Sequence, residues 1–336
     1  VMRNHIFILL LSLCCLHSQG QTLDSIFNSL KFRNIGPFRG GRSNAGSGVN
    51  GDPLTYYMTT TGGGVWKTND AGQHWKNISD GFFSSGSVGA ISVSTSNPNI
   101  VYVGMGEHAP RGVMTAHGDG VYKSTDAGIT WTHLGLKKTQ HISRIQIHPE
   151  NPDILWVAAQ GALHGKSNQR GIYKSINGGK SWKKVLYINS TTGASELSID
   201  INQPNILYAA MWDHMRTPWK VISGGPGSGL YKSIDAGETW KSCGLPKSRH
   251  IPRIVIDPQN PDIVYAAVLG NIYKPTSERG VYKSTNGGKT WSKILFESNH
   301  AGAVELVIDP KNPRNLYAAT WRVKRTPYSL SSGGEG

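Results

Sequence analysis

Short apolar runs separated by Gly, Pro, Asn and Asp recur along the chain, and their period is that of strands rather than helices. The stretch from Arg253 to Leu295 shows the pattern in full. Arg253 to Ile256 alternates polar and apolar positions, as an inner strand A does. Asp257 to Pro261 then reverses the chain, and Ile263 to Val268 is continuously apolar, as a strand buried on both faces must be. A loop leads to strand C at Val281 to Ser284, a tight turn follows, and Trp291 to Phe296 forms an outer strand D. The prolines fall in the turns, where a missing amide hydrogen is not needed.

This four-strand unit repeats. Five segments align without gaps: GVWKTNDAGQHW (64–75), GVYKSTDAGITW (120–131), GIYKSINGGKSW (171–182), GLYKSIDAGETW (229–240) and GVYKSTNGGKTW (280–291). A second shared element precedes the last four and recurs once more after them: STSNPNIVYVG (94–104), HPENPDILWVAA (148–159), DINQPNILYAA (200–210), DPQNPDIVYAA (257–267) and DPKNPRNLYAA (309–319). Closing tryptophans Trp75, Trp131, Trp182, Trp240 and Trp291 are 56, 51, 58 and 51 residues apart, a period that fits propeller blades. A larger period of 109 residues relates Trp131 to Trp240, Trp182 to Trp291, and Arg216-Thr217-Pro218-Trp219 to Arg325-Thr326-Pro327-Tyr328, so blades were duplicated in pairs. The expected fold is all-β, a β-propeller of four-stranded blades with five complete blades and the first half of a sixth over residues 43–336. This register treats the chain as truncated, with the missing C-terminal blades of the same polypeptide as its first partner. Residues 21–42 are expected to close the ring, because Leu30 to Ile35 resembles the strand His74 to Ile78.

The turn between strands C and D has the pattern [ST]-x-[DN]-x-G-x-x-W. Asp70, Asp126, Asn177, Asp235 and Asn286 can accept backbone amide hydrogens, and the following Gly72, Gly128, Gly179, Gly237 and Gly288 permit positive φ. Each closing tryptophan is expected to anchor its hairpin. Asparagine at two of five positions cannot serve as an acid or base, so the motif reads as structural rather than catalytic or calcium-binding.

Residues 1–20 have the layout of a secretory signal peptide: Arg3, an apolar run from Ile6 to Leu16, and the small-residue site Ser18-Gln19-Gly20. Leu11 to Cys14 only approximates a lipoprotein box, and no later run is long enough to span a bilayer. A secreted, periplasmic or cell-surface location is expected. Cys14 and Cys15 would leave with the signal, so Cys243 has no internal disulfide partner. The net charge of +14 comes partly from Lys67, Lys123, Lys174, Lys232 and Lys283, one consensus lysine per unit, which reads as a solvated blade pattern. Export argues against a nucleic-acid partner, whereas a polyanionic glycan would be attracted. Asn77-Ile78-Ser79 and Asn189-Ser190-Thr191 match glycosylation sequons.

On these repeats the chain resembles the Asp-box (bacterial neuraminidase repeat) propellers of the sortilin-like superfamily. It is similar to secreted bacterial BNR-repeat glycosyl hydrolases and to xyloglucan-cleaving hydrolases. The resemblance implies a ring of seven or ten blades. It does not by itself imply catalysis. The xyloglucan-cleaving enzymes carry an aspartate before a Gly-Gly pair in the first blade, and Thr61 stands at the matching position here, so that carboxylate is missing. Arg33, Arg39 and Arg42 do not form the sialidase signature.

Candidate contacts lie on the face formed by strand A starts and B-to-C loops. Arg144, Glu196, Arg253 and Glu305 alternate in charge at equivalent strand A positions and should line the axial channel, where inter-blade ion pairing is the preferred reading over direct ligand contact. The loops add His108 and the cluster Trp212, Asp213, His214, Arg216 and Trp219, suited to stacking on a sugar or clamping a carboxylate. His108, His117, His164 and His214 lack tight metal-ligand spacing, so neither a metal nor another cofactor is expected, and no catalytic residue is assigned. Two functions stay open: a propeller binding a glycan or an extracellular peptide, and a glycoside hydrolase with its carboxylates in B-to-C loops or in absent blades.

Overall fold

The structure, a computed structural model, describes residues 42–108, 116–326 and 328–334. The proposed signal peptide, the ring-closing segment 21–42 apart from Arg42, and the arginines Arg33 and Arg39 lie outside the described residues.

From Ser43 onward the chain folds into six antiparallel sheets in sequence order, spanning 43–77, 88–133, 142–186, 192–242, 253–295 and 301–332. The first five contain strands A to D as a meander, and the sixth holds A, B and a short return strand. Each strand A packs beside the strand A of the next sheet, so the A strands are innermost and the Asp-box hairpins outermost. The β-propeller expected from the repeats is the fold observed.

The fifth sheet has strands Arg253–Asp257, Asn260–Val268, Gly280–Ser284 and Ser292–Leu295. Its A-to-B turn is tighter than the sequence suggests, because Asp257 already pairs with Asn260. Strand B forms the core, and Val264 to Val268 are all fully or nearly fully buried. The B-strand aromatic reaches forward into the next sheet: the hydroxyls of Tyr57 and Tyr102 donate to Ala127 O at 3.1 Å and Pro152 O at 3.0 Å, and Trp156 Nε1 donates to Ala236 O at 3.0 Å.

Strand A carries a recurrent bulge just before the position that faces the axis, at Ser43/Ala45, Val88/Ala90, Ala194/Glu196 and Ala303/Glu305, and opposite Ala158/Ala159 in the third sheet. The extra residue uses its side chain to tie neighbouring sheets together. Asn44 Nδ2, Ser143 Oγ and Ser195 Oγ donate to Val88 O, Ala194 O and Ile251 O at 2.6, 2.8 and 3.1 Å. A bulge re-aims the next side chain, and here that residue is Arg144, Glu196 or Glu305.

The Asp-box turns share one hydrogen-bond pattern. In the fourth sheet Ser233 Oγ donates to Asp235 Oδ1 at 2.7 Å, Gly237 N donates to Ser233 Oγ at 2.8 Å, and Thr239 N donates to Asp235 Oδ1 at 2.9 Å. Asn177 and Asn286 accept the equivalent amides of Ser181 and Thr290, each at 2.9 Å. The hydrogen bonds from Thr239 and Ser233 hold the Asp235 carboxyl down to about 2. Three of the tryptophans do more than anchor their own hairpin: the Nε1 atoms of Trp131, Trp182 and Trp291 donate to Ile78 O, Leu134 O and Cys243 O of the preceding sheet at 2.8 to 2.9 Å. Nor are the consensus lysines simply solvated. Lys67, Lys123, Lys174, Lys232 and Lys283 each lie 5.2 to 5.7 Å from the ring centre of their own B-strand aromatic, an arrangement in which the cation faces π density.

Candidate functional site

Among the described residues the B-to-C and D-to-A connections emerge at one end of the sheets, opposite the Asp-box turns. Beneath this end, the axis-facing charges form one continuous chain. Arg144 grips Glu196 through two bonds of 2.8 and 2.6 Å, Arg253 Nη1 reaches the same Glu196 carboxylate at 3.1 Å, and Arg253 also forks onto both oxygens of Glu305, with Nη2 to Oε2 at 2.6 Å. Glu196 is 2% exposed. Burial alone would lower the Arg253 pKa, but Glu196 and Glu305 raise it above its ordinary value. In turn Arg253 outweighs the effect of burial on Glu305 and lowers that carboxyl. The four charges are thus engaged with one another. In the first two sheets the equivalent positions are Ala45 and Ala90, so the charged stripe begins at the third sheet.

Above the stripe sits a layer of aromatic and imidazole side chains. Trp212 is completely buried, stacked between His214 at 3.8 Å and His250 at 3.9 Å, with His108 edge-on at 6.0 Å. Gln160 links two of the rings, its Oε1 lying 2.6 Å from His108 Nδ1 and its Nε2 2.7 Å from His214 Nδ1. His141 Nδ1 is 2.8 Å from Glu107 O. Burial holds His141 down to about 4 and pushes His214 and His250 well below the usual imidazole range, so these rings are neutral at pH 7. Among the described residues no group of His, Cys, Asp and Glu is arranged to hold a metal ion.

This layer corrects the expectation for Trp212, Asp213 and His214. The sequence reading placed them on a loop, whereas strand B of the fourth sheet runs unbroken from Leu207 to Thr217 and returns as Lys220–Ser223. Asp213 and His214 are 8% and 1% exposed, and Trp212 Nε1 donates to Ser223 Oγ at 3.1 Å. Only the far end of this hairpin is outside: Arg216 is half-buried and Trp219 is 72% exposed. A similar hairpin in the sixth sheet presents Tyr328, 92% exposed. Thr61 lies in the B-to-C turn of the first sheet, where its amide donates to Arg42 O at 3.0 Å.

Sequence reasoning missed Gln160, His250 and a pair of buried arginines. Arg170 donates to Gln160 O at 2.7 Å and also binds Ala162 O, while Arg279 donates to His300 O at 2.7 Å and Asn271 O at 2.5 Å. Both satisfy loop carbonyls that would otherwise be buried without donors. The signal was present, because Arg170 and Arg279, like His141 and His250, are 109 residues apart.

Comparison with known proteins agrees with this architecture. Residues 63–210 match the family model described as sortilin, neurotensin receptor 3, and residues 282–293 match the BNR/Asp-box repeat. A xyloglucanase from a Paenibacillus species is 21% identical over 300 residues, covering 79% of this chain and 27% of the relative. The oligoxyloglucan-reducing end-specific xyloglucanase of Emericella nidulans is 22% identical over 282 residues, covering 70% of this chain and 34% of the relative. The chain therefore spans about a third of these relatives or less. The crystal structure of the Niastella koreensis GH74 enzyme superposes with a TM-score of 0.59 at 19% identity, over 83% of this chain and 44% of that one. With the hairpins, the sheet order and these matches together, the chain is a β-propeller with Asp-box (BNR) repeats, similar over residues 63–210 to the sortilin model.

Proposed function

We propose that the chain belongs to an exported propeller that binds a glycan on its loop-rich face without cleaving it. The observation that carries the non-catalytic reading is the state of the carboxylates around the axis. Glu196 and Glu305 are held by Arg144 and Arg253, Glu107 is paired with Arg42, and Asp213 is buried. Hydrolysis of a glycosidic bond in the usual way needs two carboxyl groups flanking the bond, and Thr61 cannot be one of them. Support for a glycan comes from the similarity to xyloglucanases and from the exposed rings of Trp219 and Tyr328, flat apolar surfaces of the kind that stack on pyranose faces. The same similarity supports a second reading, a glycoside hydrolase acting on a polysaccharide, with an acid and base in segments beyond the described residues.

Incubation with xyloglucan separates the two. The binding reading expects retention of the chain on immobilised xyloglucan with no rise in reducing ends. A steady release of reducing ends by the purified chain would establish the hydrolase instead.

A further inference from the structure

Two grooves on the loop-rich face are copies of each other. One, of about 920 Å³, lies between the second and third sheets, and the other, of about 730 Å³, between the fourth and fifth. Their walls correspond at the 109-residue period: Lys138 with Lys247, Gln140 with Arg249, Ser167 with Thr276. Each holds three cations and one carboxylate, namely Lys137, Lys138 and Lys166 with Asp119 in the first, and Lys247, Arg249 and Lys274 with Glu278 in the second. Asp119 is engaged internally through one oxygen, its Oδ2 accepting from Ser84 Oγ at 2.6 Å and Tyr122 OH at 2.8 Å.

The cationic character survives although the individual residues differ. Arg249 stands where the first groove has Gln140, and the first groove instead gains Lys137 where the second has Pro246. The backbone is also held in the same unusual form. Leu136 and Gln140 have φ of 59° and 60°, and Leu245 and Arg249 have 54° and 59°. Bulky residues in the left-handed region persist only where the surroundings impose them, and such positions gather at ligand sites.

We propose that these grooves are two equivalent binding sites for the acidic groups of one linear polysaccharide, carboxylates of a polyuronate being the best fit. This inference rests on the glycan-binding reading of the same face and specifies the ligand's charge. Between the grooves rises the hairpin that presents Trp219, and beyond the second rises the one that presents Tyr328. A chain laid across the face meets cations and rings in alternation. Among the described residues neither groove is lined by Phe, Tyr or Trp, and His117 is the one ring in the first, so successive bases of a nucleic acid would find no run of stacking platforms there. Two weak sites on one rigid scaffold give avidity for a polymer and little for a monomer.

The test uses polygalacturonate, neutral xyloglucan and poly(dT) as probes, with the chain, a K137Q/K138Q/K166Q variant, a K247Q/R249Q/K274Q variant and their combination. Thermal melting checks that each is folded. The proposal expects each triple variant to bind polygalacturonate about tenfold more weakly and the combination about a hundredfold more weakly, with xyloglucan retention unchanged. It expects affinity for polygalacturonate to fall with added salt. Xyloglucan binding without polygalacturonate binding would overturn the inference alone, whereas binding to neither glycan would overturn the reading on which it rests. Polygalacturonate binding that all three variants retain, or tighter binding of poly(dT), would also overturn it.

Discussion

Arg253 is the residue on which the axial charge chain depends most, since it bridges Glu196 and Glu305 at once. Replacing it leaves the buried Glu196 with Arg144 alone and the partly exposed Glu305 without a hydrogen-bonded cation in the stripe. R253A is expected to lower stability by roughly 1 to 3 kcal/mol, read from denaturant unfolding, because three charge-assisted hydrogen bonds are lost while Glu196 keeps Arg144. The imidazoles make a second prediction. His141, His214 and His250 are neutral in the folded chain down to pH values well below 6.5, while in the unfolded chain they protonate near 6.5. Between those limits the unfolded chain binds more protons, so stability is full above about pH 6.5 and falls as the pH drops toward 4. His141 alone accounts for roughly 3 kcal/mol by pH 4 at about 1.36 kcal/mol per unit. Melting temperature followed from pH 7 to 4 should fall throughout, and H141Q should flatten the slope. The alternation of Arg144, Glu196, Arg253 and Glu305 was legible because charge at equivalent strand positions has to be compensated. Burial of Trp212 was not read from the sequence, although the apolar run Leu207 to Trp212 has no turn residue to end it.

At the scale of the hairpin, all five Asp-box turns were legible, since their chemistry is local. What the motif does not reveal is where each tryptophan points. Trp131 is 7% exposed and bonds across to Ile78 O, whereas Trp240 is only half-buried and bonds within its own turn, to Gly237 O at 3.0 Å. W131A is therefore expected to cost about 3 to 5 kcal/mol and W240A clearly less. Equal melting temperatures for the two would remove the inter-sheet role assigned to Trp131. The positive φ of Ala71, Ala127 and Ala236, each 57°, was also hidden, because Gly178 and Gly287 occupy that position in the other turns and alanine gives no outward sign of it. Ala236→Gly should relieve a left-handed alanine by about 1 kcal/mol, offsetting most of the entropy lost by glycine, so its melting temperature should hardly move.

Over the whole molecule, the period of 109 residues organises the chain into double units, and each unit supplies one charged pair, one buried loop arginine and one cationic groove. The sixth sheet shows the consequence of having no further sheet among the described residues. Tyr317 and Val307 are 66% and 56% exposed, whereas the equivalent Tyr102, Tyr208 and Tyr265 of earlier sheets are at most 7% exposed. The face is apolar in the manner of a blade interface, and a seventh sheet of the same repeat is the proposed cover. The two ends divide the labour: Asp-box turns hold the sheets, and the opposite loops are the proposed binding face. Isothermal titration of xyloglucan oligosaccharides, paired with thermal melting, into R216A/W219A and into D235A/T239A tests this division directly. R216A/W219A is expected to lose affinity with its melting temperature nearly unchanged, while D235A/T239A melts earlier and binds as before. The reverse pattern, with affinity lost at the Asp-box end and retained at the hairpin, would contradict it.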